Sequence, residues 1–377
     1  MRTNKPMNFN RGEPMEDYAR RRRSEDDEIE IPRRMAFFKP NAGGGANSLS
    51  INPPALSVAF ADRGSGIVDT TAALSTGLTI AGTFVRATVA YTRPNTGIGW
   101  IPVASGVPRF YYSRNLALPL GYLAEGTRTN HFLNASTPVT QTSPSLGTGA
   151  YTLWMEGPGD ITVSANTATI TGNGTASDGS PVTFTVTGTG TVDYTVSGSP
   201  DYAQSEAGSF GSSFIDTVAS SVTRNVDSLA YTFSASAPAT LFAEFMMNAI
   251  NTTTDQAVCQ VDDGTANERY GLYRANATGA FRGFVVDGGS LVADAEVAGV
   301  LTANTAYKAT VAASTNDVIA CRNGIFSAQD TSASMPTVTT VRIGTVTATG
   351  IPLFGSIRRV VYYNSRLTNA TLQALTA

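Results

Sequence analysis

The sequence predicts an all-β protein made of an extended N-terminal arm, a small irregular β-module and then two jelly-roll or β-sandwich domains. Three observations carry this. The composition leans towards Thr, Val, Ala, Gly and Ser, with 36 Gly and 18 Pro in 377 residues, which suits strands and tight turns better than long helices. Apolar residues recur at every second position in short runs, the period of a strand with one buried face. Between the runs stand Asn-Gly and Asp-Gly pairs, which tolerate the positive φ of hairpin turns.

Residues 1–50 read as a charged anchoring arm ending in a Gly-rich hinge. Ten of the 26 basic and eight of the 29 acidic residues fall in the first 40 positions. Such a segment buries too little apolar surface to order itself, so it is expected to order on a partner. Phe9, Tyr18, Ile29, Ile31, Phe37 and Phe38 are its candidate anchors, with Arg20, Arg21, Arg22 and Arg23 fixing register against the acidic block that follows. That block nearly cancels the Arg run, and the net charge is −3, so nucleic acid is not an expected partner.

Residues 51–130 read as the irregular module, with a strand over Thr83–Tyr91 broken by Arg93-Pro94-Asn95. Residues 131–220 hold the clearest alternation, at Asp160–Val163, Ala168–Thr171, Val182–Val186 and Val192–Val196, and predict a sandwich. Residues 221–377 predict a second one, with strands at Leu241–Met247, Arg269–Tyr273, Phe281–Val286, Ala306–Ala312, Val338–Ile343 and Gly355–Tyr363, and turns at Asp263-Gly264, Asp287-Gly288 and Asn323-Gly324. A helix of one or two turns is expected at Asn369–Leu375.

Little catalytic chemistry is visible. His131 is the only histidine, so any Ser-His or Cys-His arrangement depends on it. No metalloprotease, phosphate-loop or dinucleotide motif is present, and no enzymatic activity is expected. Cys259 and Cys321 lack metal-ligand spacing and read as two buried thiols, or as one disulfide within the last domain. No cofactor is expected. Asp262 and Asp263 are the best Ca candidates, and their plain reading is a polar hairpin turn. Trp100, Trp154, Tyr270 and Tyr273 are the candidate glycan-contacting aromatics, although Trp in a sandwich is commonly core. No apolar run approaches the ~20 residues of a membrane helix, and the charged N-terminus is not a secretory signal.

Three stretches are similar to a mosaic found in bacteriophage fibre and appendage proteins. The first joins Phe84-Val85-Arg86-Ala87-Thr88, Gly106-Val107-Pro108-Arg109-Phe110 and Gly121-Tyr122-Leu123-Ala124-Glu125-Gly126-Thr127-Arg128-Thr129-Asn130. Gly126 departs from that pattern, which has an acidic or alanine-like residue there. The second runs from Tyr202-Ala203-Gln204-Ser205-Glu206 to Arg224-Asn225-Val226-Asp227 and resembles the end of a carbohydrate-binding-like sandwich. The third, Gly355–Tyr363 with Arg366-Leu367-Thr368, resembles the last strand and tail of a concanavalin-like (laminin-G-like) jelly roll.

The resemblance implies a virion protein, made in the host cytoplasm and exposed on the particle exterior, docked to other virion proteins through residues 1–50. It implies a homotrimer with lectin-like domains presented to host-surface glycans. A capsid or tail decoration protein without a glycan ligand, and a glycan depolymerase, stay open as alternatives.

Overall fold

A computed structural model describes residues 55–60, 71–74, 79–233, 235, 237–346 and 351–377. The expected arm anchors Phe9, Tyr18, Arg20, Arg21, Arg22, Arg23, Ile29, Ile31, Phe37 and Phe38 lie outside the described residues. Those that are described are nearly all β, with one short helix, Asn369–Thr376. Every named strand pairing is antiparallel, from Leu56–Ala59 against Gly355–Tyr363 to Asp317–Arg322 against Ile325–Phe326.

The middle sandwich packs a four-stranded sheet against a six-stranded one. Strands Gly159–Ala165 and Val192–Gly198 form the centre of the first; Gly149–Glu156 and Tyr202–Ala207 form the centre of the second. Alternation decides the layers. Ile161, Val163, Val192 and Tyr194 turn inward to meet Tyr151, Leu153, Met155 and Phe184, while Asp160, Thr162 and Asp193 stay outside that core. Thr152, Trp154 and Glu156 take the opposite face of their strand, outside the same core.

The large sandwich packs a ten-stranded sheet on a seven-stranded one. Gln256–Asp262, Arg269–Arg274 and Ala280–Asp287 run side by side in the seven-stranded sheet. The helix covers strands Ala306–Ser314 and Asp317–Arg322, where Thr376 Oγ1 meets the Cys321 sulfur at 3.2 Å. Thr368 caps the helix by accepting from the Thr371 N–H at 3.3 Å. Both cysteines are free and buried, and burial pushes the Cys259 thiol up.

The segment expected as an irregular β-module supplies short strands to both layers of this sandwich. Strand Gly355–Tyr363 carries two of them end to end along one side: Leu56–Ala59 opposite Tyr362 to Arg359, and Tyr122, Leu123 and Ala124 opposite Ile357, Ser356 and Gly355. Leu56, Val58, Phe110 and Tyr122 accordingly sit in the large core. Gly121 is needed at this junction. Its φ is +107°, and a Cβ there would stand 2.3 Å from the Ile357 carbonyl oxygen.

The strand expected over Thr83–Tyr91 is broken into Thr83–Val85 and Ala90–Thr92. The cause is Arg86, which turns inward. Its guanidinium donates to Asp227 Oδ1 (2.9 Å), to the Ala104 carbonyl (2.8 Å) and to the Val103 carbonyl (3.3 Å). Asp227 also accepts from Arg109 (2.5 Å), and Arg109 donates to Glu125 (3.0 Å) and to Ser213 Oγ (2.6 Å). Arg224 Nη1 lies 3.0 Å from Glu125 and donates to Ser213 Oγ at 2.8 Å. Arg86, Arg109, Arg224, Glu125 and Asp227 are each at most 4% exposed. Close by, buried Glu206 lies 3.6 Å from Arg128 Nε. The cluster ties the residue 86–125 segment to the loop that leaves the middle sandwich at Ser213 and to the link at Arg224–Asp227 that enters the large one.

The field inside the cluster is strong. Burial pushes the Glu125 carboxyl up, but Arg224, Arg109 and hydrogen bonds from Ser213 outweigh it and hold it at about 2 instead of 4.5. A carboxyl depressed on folding stabilises the fold above its unfolded pKa and loses that contribution as pH falls through its folded one. The unfolding free energy should therefore drop by roughly 3 kcal/mol between about pH 5 and pH 2. Denaturant titrations at stepped pH check this, and Glu125→Gln should flatten that part of the curve. Asp227→Ala leaves Arg86 and Arg109 buried without their shared counter-ion and should cost about 3–5 kcal/mol at pH 7. At the strand junction, Gly121→Ala should cost about 3 kcal/mol in the same assay. Gly106→Ala, at a φ of +71° with open space around it, should cost only about 1 kcal/mol.

Candidate functional site

Where the outer face of the six-stranded sheet meets the residue 86–125 segment, the seam between them opens into a groove of about 530 Å³. One wall is built by the ends of strands Gly149–Glu156 and Tyr202–Ala207, which bring Glu156, Asp201 and Tyr202 to its edge. Glu156 and Tyr202 are register partners, and the Asp201 N–H donates to the Glu156 carbonyl at 2.8 Å. The opposite wall holds Arg93 and Arg114, on the loops 93–100 and 113–117.

These loops are fixed to each other. Gly97 N–H donates to the Pro94 carbonyl (2.9 Å), and Asn115 N–H to the Gly97 carbonyl (3.1 Å). A Cβ on Gly97, whose φ is +70°, would stand 2.8 Å from the Ser113 carbonyl oxygen. Asn115 (φ 64°) and Ala117 (φ 51°) both occupy the left-handed region, which costs an alanine roughly 1–2 kcal/mol. Backbone strain of this kind gathers at sites where surrounding structure enforces a shape. The tips carry exposed apolar side chains, Ile98 at 71% and Leu116 at 70%.

Glu156 binds Arg93 through both oxygens, at 2.5 and 3.4 Å. Arg93 also lies with its guanidinium carbon 4.2 Å from the Trp100 ring centroid. Burial pulls the Arg93 guanidinium down, and the Glu156 and Tyr111 contacts more than restore it. Arg114 donates to Asp178 at 2.5 Å and stands 3.9 Å from Glu156. Beneath the groove, Trp100, Trp154 and Phe214 lie with ring centroids 6.2 Å apart in every pair, and Tyr202 adds an edge contact to Phe214 at 5.0 Å. Tyr91 reaches Asp216 at 3.3 Å, and burial and that carboxylate push its phenol up to about 12.

The aromatics singled out in the sequence part company here. Trp100 and Trp154 come together, half-buried, but behind the groove, with their indole N–H groups buried. Tyr270 is 1% exposed inside the large core. Tyr273, on the same strand but its other face, is half-buried against Phe284, where burial and Asp294 push its phenol up to about 12. Asp262 is fully buried and committed to Arg342 (2.9 Å) and Gln260 (2.8 Å), and Asp263 to both donors of Thr265. Among the described residues, no three His, Cys, Asp or Glu side chains gather to hold a metal. His131 meets Ser221 Oγ at 3.2 Å, and burial alone lowers its imidazole.

Arg93, Arg114, Glu156, Asp201 and Tyr202 escape sequence reading because they come from three separate regions. The one local signal is that Arg93-Pro94-Asn95 and Ser199-Pro200-Asp201 are turns charged at positions where strands end.

No protein-family model matches the chain. No curated protein matches it either. Among solved structures, it is similar to the Ruminococcus gnavus IT-sialidase CBM40 bound to α2,3-sialyllactose, at 18% identity over 38% of this chain and 84% of that one, with a TM-score of 0.33. It is also similar to the NanB sialidase of Streptococcus pneumoniae, at 14% identity over 39% of this chain and 26% of that one, with a TM-score of 0.33. A third is domain 4 of the Geobacillus stearothermophilus arabinanase AbnA in complex with arabinotriose, at 10% identity over 45% and 82%, with a TM-score of 0.34.

Arg93 holds the seam beneath the groove through Glu156 and Trp100 together. Arg93→Ala should lower stability by about 2 kcal/mol in denaturant titration and red-shift tryptophan emission as water reaches Trp100.

Proposed function

We propose that the protein is a non-enzymatic structural component of a bacteriophage particle that docks through residues 1–50 and holds host-surface glycan in the groove between its middle sandwich and the residue 86–125 segment. The observation that carries the glycan reading is the groove itself. It joins a tyrosine edge and the apolar side chain of Ile98 to carboxylate, guanidinium and amide groups, the mixture that suits a sugar's C–H face and its hydroxyls. The virion reading is supported by the residues that carry the fibre-protein resemblance. Arg86, Arg109, Glu125, Arg224 and Asp227 all belong to the quoted strings, and all meet in one buried cluster.

Two observations favour a binding role over catalysis. The His131–Ser221 contact has no carboxylate on the imidazole among the described residues, so nothing orients a base. The groove does hold two carboxylates, as a depolymerase would require, but both oxygens of Glu156 are taken up by Arg93 and not turned to the opening.

A decoration or joining role without a glycan is favoured by the outward side of the four-stranded sheet. Thr162 and Thr175 hydroxyls pair there at 2.8 Å, and Thr142 donates to Asp193 at 2.6 Å, giving a Thr/Ser coat with no aromatic platform.

Removing residues 1–40 should abolish incorporation into particles while the purified body keeps its glycan binding. Tyr202→Ala in the full chain should weaken binding about tenfold. Unchanged incorporation overturns the anchoring role. Incorporation lost, with no glycan bound by either form, supports decoration.

A further inference from the structure

The charges lining the groove are unequally answered, and that inequality bears on what it can hold. Arg93 is taken up by Glu156, and Arg114 by Asp178, so each guanidinium already faces a carboxylate of this chain. Asp201 is different. Its side chain is exposed, and among the described residues it has neither a cation nor a hydrogen-bond donor. Two carboxylates, Glu156 and Asp201, line the groove against two guanidinium groups, and Asp178, beyond the lining, answers Arg114, so Asp201 is the carboxylate left over.

From this we propose that the groove selects neutral, hydroxyl-rich saccharides over acidic ones, with Asp201 as the group that receives the sugar hydroxyls. The proposal rests on the glycan-adhesion reading and names the ligand class for that same site. A carboxylate is an acceptor only, with about four lone-pair positions, and two neighbouring hydroxyls of a sugar ring can donate to it side by side. Hydrogen bonds to an ionised acceptor are roughly twice as strong as neutral ones, so one unengaged carboxylate sets orientation as well as affinity. Asp201 is held for that task. Its N–H is fixed to the Glu156 carbonyl, and Gly157 leaves it room, since a Cβ on Gly157 would stand 2.7 Å from the Asp201 Oδ2. Ser136 and Thr137, both exposed on the rim, bring hydroxyls that can donate or accept. Ile98, exposed on the lining, gives the apolar face of a ring something to lie on.

An acidic sugar meets the reverse situation. Its carboxylate finds Arg93 already gripped by both oxygens of Glu156, and finds the charge of Arg114 already answered by Asp178, so neither guanidinium offers an unpaired positive charge. In either place it stands in the field of Asp201. Like charges in a partly dry groove repel by more than they do in bulk water.

The test is isothermal titration of the full chain with neutral oligosaccharides and with the same backbones carrying sialic acid or a uronate. The neutral series should bind, and the acidic series at least about tenfold more weakly, with the gap narrowing as salt screens it. Asp201→Asn should weaken neutral binding about tenfold and narrow the discrimination, while Asp201→Glu restores much of both. Acidic sugars binding as tightly as neutral ones, or Asp201→Asn leaving both series unchanged, overturns the selectivity and leaves the adhesion reading standing. If no saccharide of either class binds, adhesion itself falls and this inference with it.

Discussion

Taking an arginine out of water costs several kcal/mol even after the protein relaxes around it, and this chain does so with Arg86, Arg109 and Arg224 in one place. The arrangement is tolerable because each is met from more than one side. Asp227 divides its two oxygens between Arg86 and Arg109, and Glu125 faces Arg109 and Arg224. Buried Glu206, a short way along the seam beside Arg128, adds a further negative charge that Arg224 feels. Backbone carbonyls, among them those of Val103, Ala104, Tyr91 and Gly126, take several of the other donors, while the Nε groups of Arg109 and Arg224 stay buried without a partner. None of these groups can move without leaving a charge unanswered, so the segments that contribute them are fixed together.

The groove depends on that fixing. Its walls come from a strand pair of the middle sandwich and from loops of the residue 86–125 segment, two parts of the chain that share no sheet at that point. The cluster holds one end of the seam, and the Trp100, Trp154 and Phe214 packing under Arg93 holds the other. The left-handed Asn115 and Ala117 then persist because Gly97 admits the backbone close to Ser113 and locks the two loops.

What the sequence revealed follows from how local each feature is. Strand Gly355–Tyr363 was legible at its observed bounds, and the alternation near Val192–Gly198 marked the middle sandwich, because a half-buried strand writes its period into the residues. Gln256–Asp262 was not legible. All seven of its residues are buried, so polar Gln256, Gln260 and Asp262 sit at inward-facing depth and erase the pattern. The break at Arg86 was invisible for a related reason, since propensity does not register a side chain that turns in to meet Asp227, 141 positions away. Tyr270 and Tyr273 could have been separated from the start. Three positions apart in a strand means opposite faces, and only Tyr273 escapes the core. Trp100 and Trp154, read from the sequence as candidate glycan contacts, instead put their rings in the seam behind the groove and leave Tyr202 and Asp201 at its opening.

An apolar seam would have been simpler to stabilise, since replacing a buried ion cluster by well-packed hydrophobic residues is often neutral or favourable. Apolar contact, however, is non-directional, and two β-bodies joined by it alone can slide by an ångström at little cost. A sugar held by a few hydrogen bonds needs its donors and acceptors placed to within about half an ångström. Charge-assisted hydrogen bonds supply that precision because they fail steeply when distance or angle drifts. The buried cluster is therefore better understood as a device for register than for stability, and the place where register matters is the groove.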